Sequence, residues 1–421
     1  MTQHVTSLPP HYHRNFGLFL TDFICFMVGM NFINANTVVP AFVRSLTDSA
    51  PLIGLGGTLF SAGWLLPQLP AARLMNDKLY KRPYMLIGMS GRGLFLPVAL
   101  ALVLGLARYP GITLALFFVC LALFAAGDGF SGVAWYDILA RAVPLKRRGR
   151  LIGAGQIVTG LAGIGAGAFI GRVMSDPRFP YPRNYALFFA LASVLFIPST
   201  IALILIREPP PPQSPDSSQH KSSRENWLQF LQDDPGYRRM IVCRVLVSMA
   251  SLAIPFYVGH ASDVLHLPRA ILGAFIVAQT VGGMLSSVLL SIIAERRGPR
   301  RVAQIGSAVA ASAPILALSI HLTGTNSAMW VYPLIFVALG AANSAQMLGF
   351  SNYVLEIAPD THRPAYLGLC NTILGITTLI PTLGGWLLEL TSYGLLFGLT
   401  AALVCAGFVY TLGLPQPERA G

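Results

Sequence analysis

Twelve stretches of mostly apolar residues, each long enough to cross a bilayer, run through this chain of 421 residues. A helix needs about 20 such residues to span the hydrocarbon core. The stretches are 16–43, 51–75, 84–107, 111–140, 150–174, 184–207, 237–262, 268–294, 301–322, 329–357, 364–390 and 393–413. With no water to satisfy backbone polar groups, each is expected to be a helix. Charged residues make up 11% of the chain and apolar residues 54%. A soluble domain carries about 25% charged residues, so the composition excludes a soluble enzyme and a disordered chain. The expected fold class is an all-α integral membrane protein with twelve transmembrane helices.

The net charge of +12 raises nucleic acid as a partner, and the placement of the charges argues against it. With twelve spans, both termini share one side. The opposite side receives only Arg44, Arg108, Arg172, Arg178, Arg183 and Arg269. Arg92 and Arg244 fall within spans, and every other Lys and Arg lies on the side of the termini. This bias places both termini in the cytoplasm and makes the basic patches anchors at anionic headgroups. Met1 to Asn15 is polar, with Pro9 and Pro10, and lacks a cleavage-type signal, so the first apolar run is expected to be retained. Cys25, Cys120, Cys243, Cys370 and Cys405 are scattered through apolar runs, with no CxxC spacing and no clustered His. They read as small hydrophobes, and neither a metal nor another cofactor is expected.

The longest break, 208–236, opens with four prolines, Pro209 to Pro212, and continues through Ser and Gln. It reads as a linker that is stiff and then flexible. Its end, Trp227 to Leu231, reads as a short interfacial helix, and Asp233-Asp234 as a solvated turn before Pro235. The linker separates a six-helix bundle at 1–207 from another at 237–421. The two halves match at an offset of 215, pairing Pro40 with Pro255, Asp128 with Asn343, Ser131 with Gln346, Trp135 with Phe350 and Pro144 with Pro359. In the loops after spans 2 and 8 the offset is 218, pairing Asp77-Lys78 with Glu295-Arg296 and Arg82 with Arg300. Six spans per half give both halves the same orientation, a parallel repeat about an axis along the membrane normal.

Two parallel six-span halves, a long central linker and charged loops after spans 2 and 8 together resemble the major facilitator superfamily. Its loop signature, G-x-x-x-D-R-x-G-R-R, is matched here by Asp77, Lys78, Lys81 and Arg82, with Arg73 and Tyr80 at the glycine positions. The second copy has Glu295, Arg296, Gly298 and Arg300, with Ser291 at the first glycine. Pro381 to Gly385 is similar to the end of a P-x-x-G-G antiporter motif, although it lies in span 11 and span 5 has no proline. The resemblance implies two bundles rocking about a central cavity lined by spans 1, 4, 7 and 10.

Each of those four spans carries polar residues at helical spacing. Asp22 lies in span 1, and Asp128, Ser131 and Trp135 share one face of span 4. Arg244 lies in span 7, followed at helical spacing by Ser248 and Ser251; Asn343, Gln346 and Phe350 share a face of span 10. Arg92 adds a cation in span 3, within Ser90-Gly91-Arg92-Gly93. Intramembrane ionisable groups face a cavity or one another. Burial and a neighbouring guanidinium act in opposite directions on a carboxyl's hold on its proton. Asp22 or Asp128 is therefore a proton-carrier candidate, with Arg92 or Arg244 tuning it or meeting substrate. Asp22 and Arg92 read equally well as a structural ion pair, Arg244 as a snorkelling residue, and Trp135 and Phe350 as packing. The second half carries Asn343 where the first has Asp128, so a proton site belongs to the first half.

Asp137 and Glu356 sit at cytoplasmic span ends and, by the resemblance, join Asp77, Arg82, Glu295 and Arg300 in a cytoplasmic gate. Seven glycines of span 5, from Gly153 to Gly171, permit close helix approach, as a hinge or as static packing. HExxH, GxSxG and GxxxxGK[ST] are all absent from the sequence, which argues against a membrane enzyme and ATP-driven transport. The expected function is secondary transport of a small organic solute across the plasma (inner) membrane, proton-coupled or passive. A non-transporting sensor or scaffold on the same fold is the alternative. The bilayer, the solute and protons are the expected partners, nucleic acid is not, and the expected state is a monomer.

Overall fold

The computed structural model describes residues 9–75, 78–210, 231–324, 328–358 and 363–416. Among these, eleven helices are long and apolar enough to cross a membrane. In chain order they are span 2 (Ala50–Met75), span 3 (Arg82–Val103), span 4 (Pro110–Ala142), span 5 (Arg147–Ser175), span 6 (Arg183–Leu205), span 7 (Pro235–Asp263), span 8 (Ile271–Arg297), span 9 (Pro299–Thr323), span 10 (Met329–Ile357), span 11 (Gly368–Leu390) and span 12 (Tyr393–Leu412). Span 1 begins with Tyr12–Asn31, whose first turns hold His13, Arg14 and Asn15, and resumes at Val38–Arg44 after a non-helical turn. The protein is a multi-pass, all-helical membrane protein. Trp227 to Phe230 of the expected interfacial helix lie outside the described residues.

Four irregularities shape the interior. Leu66 and Pro67 interrupt span 2, since proline lacks the N–H that would continue the ladder. Span 3 tightens to a 3₁₀ turn at Ser90–Gly93, and span 7 does so at Met249–Leu252. Span 10 widens to a π turn at Gln346–Ser351. Local changes of helical pitch of this kind are frequent at functional sites.

The chain forms two compact units. Unit 1 comprises Met1–Asn34, Leu59–Ala166 and Pro177–Gln219; unit 2 comprises Ala35–Thr58, Gly167–Asp176 and His220–Gly421. This differs from a cut at the linker: the 35–58 stretch counts with unit 2. There Arg44 pairs with Asp263 of span 7, and Thr58 Oγ1 lies 2.8 Å from Thr382 Oγ1. A further difference concerns Asp234. It caps the start of span 7 rather than lying free in a turn: its carboxylate accepts from the backbone N–H of Tyr237 at 2.8 Å and from Tyr366 Oη at 3.2 Å. The core of unit 1 is aromatic, with Phe117 stacked on Phe189 and Phe124 on Phe196. The core of unit 2 holds Tyr237, Met240, Tyr353, Cys370 and Val404.

Candidate functional site

Small residues around Asp128 decide what reaches it. Spans 3 and 4 cross where Gly88 meets Gly127; a Cβ on Gly127 would lie 2.3 Å from the carbonyl oxygen of Gly88. Spans 2 and 4 cross at Gly129, where a Cβ would lie 2.1 Å from the carbonyl oxygen of Trp64. Larger residues at 127 and 129 would push both neighbours away. With glycine there, Arg92 of span 3 and Trp64 of span 2 come within reach of the carboxylate between them.

The result is a buried ionic network inside unit 1. Arg92 Nη1 donates to Asp22 Oδ1 at 2.8 Å and to Ser199 Oγ at 2.6 Å, and Ser199 in turn donates to Asp22 Oδ1 at 2.6 Å. Trp135 Nε1 donates to Asp22 Oδ2 at 2.8 Å. Asp22 is thus held by three short bonds and is only 3% exposed. Asp128 is held more loosely: Arg92 Nη2 lies 3.3 Å from its Oδ1 and Trp64 Nε1 3.2 Å from its Oδ2. The Asp128 side chain is also the more exposed, at 14% against 4% for Asp22. The Arg92 guanidinium lies over the Phe26 ring, 4.4 Å from its centroid.

These groups border a cavity of about 280 Å³. Asp22, Arg92, Asp128, Ser131 and Trp135 are among the residues that line it. Its remaining walls are Phe23, Phe26, Met27, Met30, Phe60, Trp64, Phe124, Ala125, Gly132 and Tyr136. Size and lining are those of a small-molecule site: an apolar hollow with a few convergent polar groups.

The expected residues of the second half are placed differently. Arg244 Nη1 donates to Cys370 Sγ at 3.1 Å, so it neither snorkels freely nor borders this cavity. Asn343 is exposed, Gln346 is half-buried, and Phe350 is 2% exposed within the core of unit 2. The π turn begins at Gln346, so of the three only Phe350 follows its start. The expected common face assumed about 100° per residue, and a π turn breaks that register. Phe350 is therefore a packing residue.

Of the expected gate residues, Asp137 is engaged within unit 1. It accepts from Lys81 Nζ at 2.8 Å and from Arg141 Nη2 at 2.6 Å. Arg141 also pairs with Glu208, a residue the sequence reading assigned to the linker. The Glu208 carboxylate further accepts from the backbone N–H groups of Lys81 and Arg82, both at 2.9 Å, closing the N-terminus of span 3. Arg82 donates to the carbonyl of Ile204, and Arg300 to that of Leu412 at 3.2 Å. Glu295 and Glu356 are exposed, and Asp77 lies outside the described residues.

Sequence reasoning missed Trp64, Ser199, Glu208 and His260. Buried His260 has Nδ1 3.1 Å from Tyr332 Oη and Nε2 3.1 Å from His321 Nδ1. Tyr332 gives its proton to the Tyr257 carbonyl at 2.8 Å, so Nδ1 of His260 donates and Nε2 accepts. The signal for Glu208 was an acid directly after the end of span 6. Ser199 and Trp64 gave none, because single polar residues in apolar runs are common.

The family model for the Major Facilitator Superfamily matches residues 21–278 and 240–421. The fold is similar to a bacterial homologue of the iron transporter ferroportin in an inward-facing state, with TM-score 0.72 and 13% identity over 96% of this chain and 98% of that one. It is similar to a D-xylose–proton symporter, with TM-score 0.71 and 13% identity over 96% and 99% of the two chains. A bacterial metal transporter gives TM-score 0.67 and 14% identity over 97% and 99%. No curated protein matches the sequence. At such identities the neighbours speak to fold alone, while the family model covers nearly the whole chain. The protein, with its membrane-spanning repeat and ionic interior, belongs to the Major Facilitator Superfamily and has the fold of its transporters.

Proposed function

We propose that the chain is a secondary transporter that moves a small organic solute by alternating access, with Asp128 carrying the coupling proton. The observation that carries this reading is the unequal holding of two neighbouring carboxylates. Asp22 is saturated by Arg92, Ser199 and Trp135, and acts as the fixed counter-ion of Arg92. Asp128 has two long contacts and borders the cavity. A carboxyl that exchanges its proton needs partners it can release, and only Asp128 has them. When Asp128 is ionised, the Arg92 guanidinium is shared between two carboxylates. When it is protonated, Arg92 reverts to Asp22, so one proton redistributes the bonds of a group that touches spans 1, 3 and 4. Such a redistribution is a way for proton and solute binding to bias the same conformational equilibrium.

Lys81, Asp137, Arg141 and Glu208 form the cytoplasmic part of the same machine. They tie the span 3 entrance to the ends of spans 4 and 6, so that unit 1 moves as one body. The basic residues on the side of both termini support a cytoplasmic location for the termini in a plasma membrane. No enzymatic role is assigned.

The test is solute flux in proteoliposomes under an imposed pH gradient, read with an entrapped pH-sensitive dye over a compound library. Wild-type protein is expected to move protons with one compound class, and Asp128→Asn to abolish that movement. Solute flux without protons, unaltered in Asp128→Asn, identifies a passive facilitator. No flux of any compound favours a sensor on a transporter fold.

A further inference from the structure

We infer that the cavity beside Asp128 selects a small aromatic or alkyl organic cation. The inference rests on reading this cavity as the solute site and adds the chemical class of the solute. Its first basis is charge. The lining holds two carboxylates, Asp22 and Asp128, and one cation, Arg92, with no Lys or His. With all three ionised the site carries one surplus negative charge, and Asp128 is the carboxylate whose partners are furthest away.

The second basis is the state of Arg92. Its two terminal nitrogens are engaged with Asp22, Ser199 and Asp128, its plane covers Phe26, and it is 6% exposed. The remaining Nε of Arg92 has no partner but is buried, so an anionic solute would find no accessible cationic group here and would meet two carboxylates. A polyol fares little better. Sites for sugars need several hydrogen-bonding groups aimed at the ligand, since an unpaired hydroxyl in an apolar hollow is costly. Both indole N–H groups in the lining are already donated to carboxylates.

The third basis is the wall. Phe23, Phe60, Trp64 and Tyr136 supply π faces, and Met27 and Met30 supply polarisable thioethers. Aromatic faces with a carboxylate among them are how proteins bind amines and quaternary ammonium groups. A cavity of about 280 Å³ fits one or two rings. A cation bound at Asp128 would occupy the carboxylate that otherwise takes the proton. Proton and solute would then compete for one charge.

The test is equilibrium binding to the full chain in lipid nanodiscs, without any gradient, using three ligands of one shape and different charge. These are radiolabelled N-methyl-4-phenylpyridinium, neutral 4-phenylpyridine at pH 8, and biphenyl-4-carboxylate. The cation is expected to bind saturably, to be displaced about tenfold less well by the neutral analogue, and not to be displaced by the carboxylate. Asp128→Asn is expected to weaken cation binding about tenfold or more, and Tyr136→Leu to weaken it severalfold. Equal displacement by all three ligands, tighter binding of the carboxylate, no saturable cation binding, or a wild-type affinity in Asp128→Asn each overturns the inference. If a variant aggregates, the charge series on the wild-type protein decides by itself. The outcome is separable from the transport reading. A cation that binds but is not moved in proteoliposomes sustains the chemical class and sinks transport. Flux of another compound by a protein that ignores the cation does the reverse.

Discussion

The two halves of this repeat fill corresponding sequence positions in opposite ways. In unit 1, spans 1, 3 and 4 hold Asp22, Arg92 and Asp128 in one bonded network. At the repeat offset of 215 stand Tyr237 and Asn343, and at the offset of 218 that pairs Arg82 with Arg300 the mate of Arg92 is Ala310. Tyr237 gives its hydroxyl proton to the carbonyl of Tyr366 at 2.6 Å, and Ala310 is a buried apolar residue. Charged residues in one half stand opposite uncharged ones in the other. The lesson is energetic. A neutral bond to a backbone carbonyl satisfies a buried donor without leaving a charge to be compensated. An ionic set stays affordable only while every partner is present, and it changes when one of them takes a proton. Unit 2 is therefore uncharged at these positions, while unit 1 holds the ionic set.

Substitutions can break that comparison, and the largest effect is expected at Arg92. Arg92→Met leaves two buried carboxylates without their cation and should destabilise the protein by about 3–5 kcal/mol, seen as a large fall in thermal midpoint in detergent. The double variant Asp22→Leu/Arg92→Met, in which only Asp128 still lacks its cation, should recover part of the loss. A silent Arg92→Met would mean that the network holds nothing together.

The next effect compares repeat mates. Trp135→Phe keeps the ring and removes the indole bond to Asp22, a bond to a charged group worth about 1.5–3 kcal/mol. Phe350→Leu, at the equivalent position in the core of unit 2, should cost under about 1.5 kcal/mol because an apolar swap of similar volume repacks. Thermal melts of the two variants side by side measure the difference. Equal losses would erase the distinction between a positioning tryptophan and a packing phenylalanine.

The smallest effect is expected at Ser307→Ala, about 1 kcal/mol or less, since only a bond within its own helix is lost. A larger loss on melting would give unit 2 a polar core of its own.

Much of this was written in the chain before any helix was packed. The twelve apolar runs, the charge bias and the offset between halves determined an all-helical membrane fold with two related bundles, because bilayer thickness leaves the backbone one solution. Asp22, Arg92, Asp128, Ser131 and Trp135 were also legible, since polar residues stand out in such runs and three of them repeat at helical spacing on one span. Tertiary structure decided everything that depends on which neighbour a face meets. It brought Trp64 and Ser199 to the carboxylates from helices whose sequences carry no mark of it, Trp64 through an approach that glycine at 129 permits. It drew Glu208 out of the expected linker to close span 3 and bind Arg141. It turned Phe350 into the core by widening one turn of span 10. Periodicity assigns a residue to a face of an ideal helix; the partner of that face, and the turns where the helix stops being ideal, are set by packing.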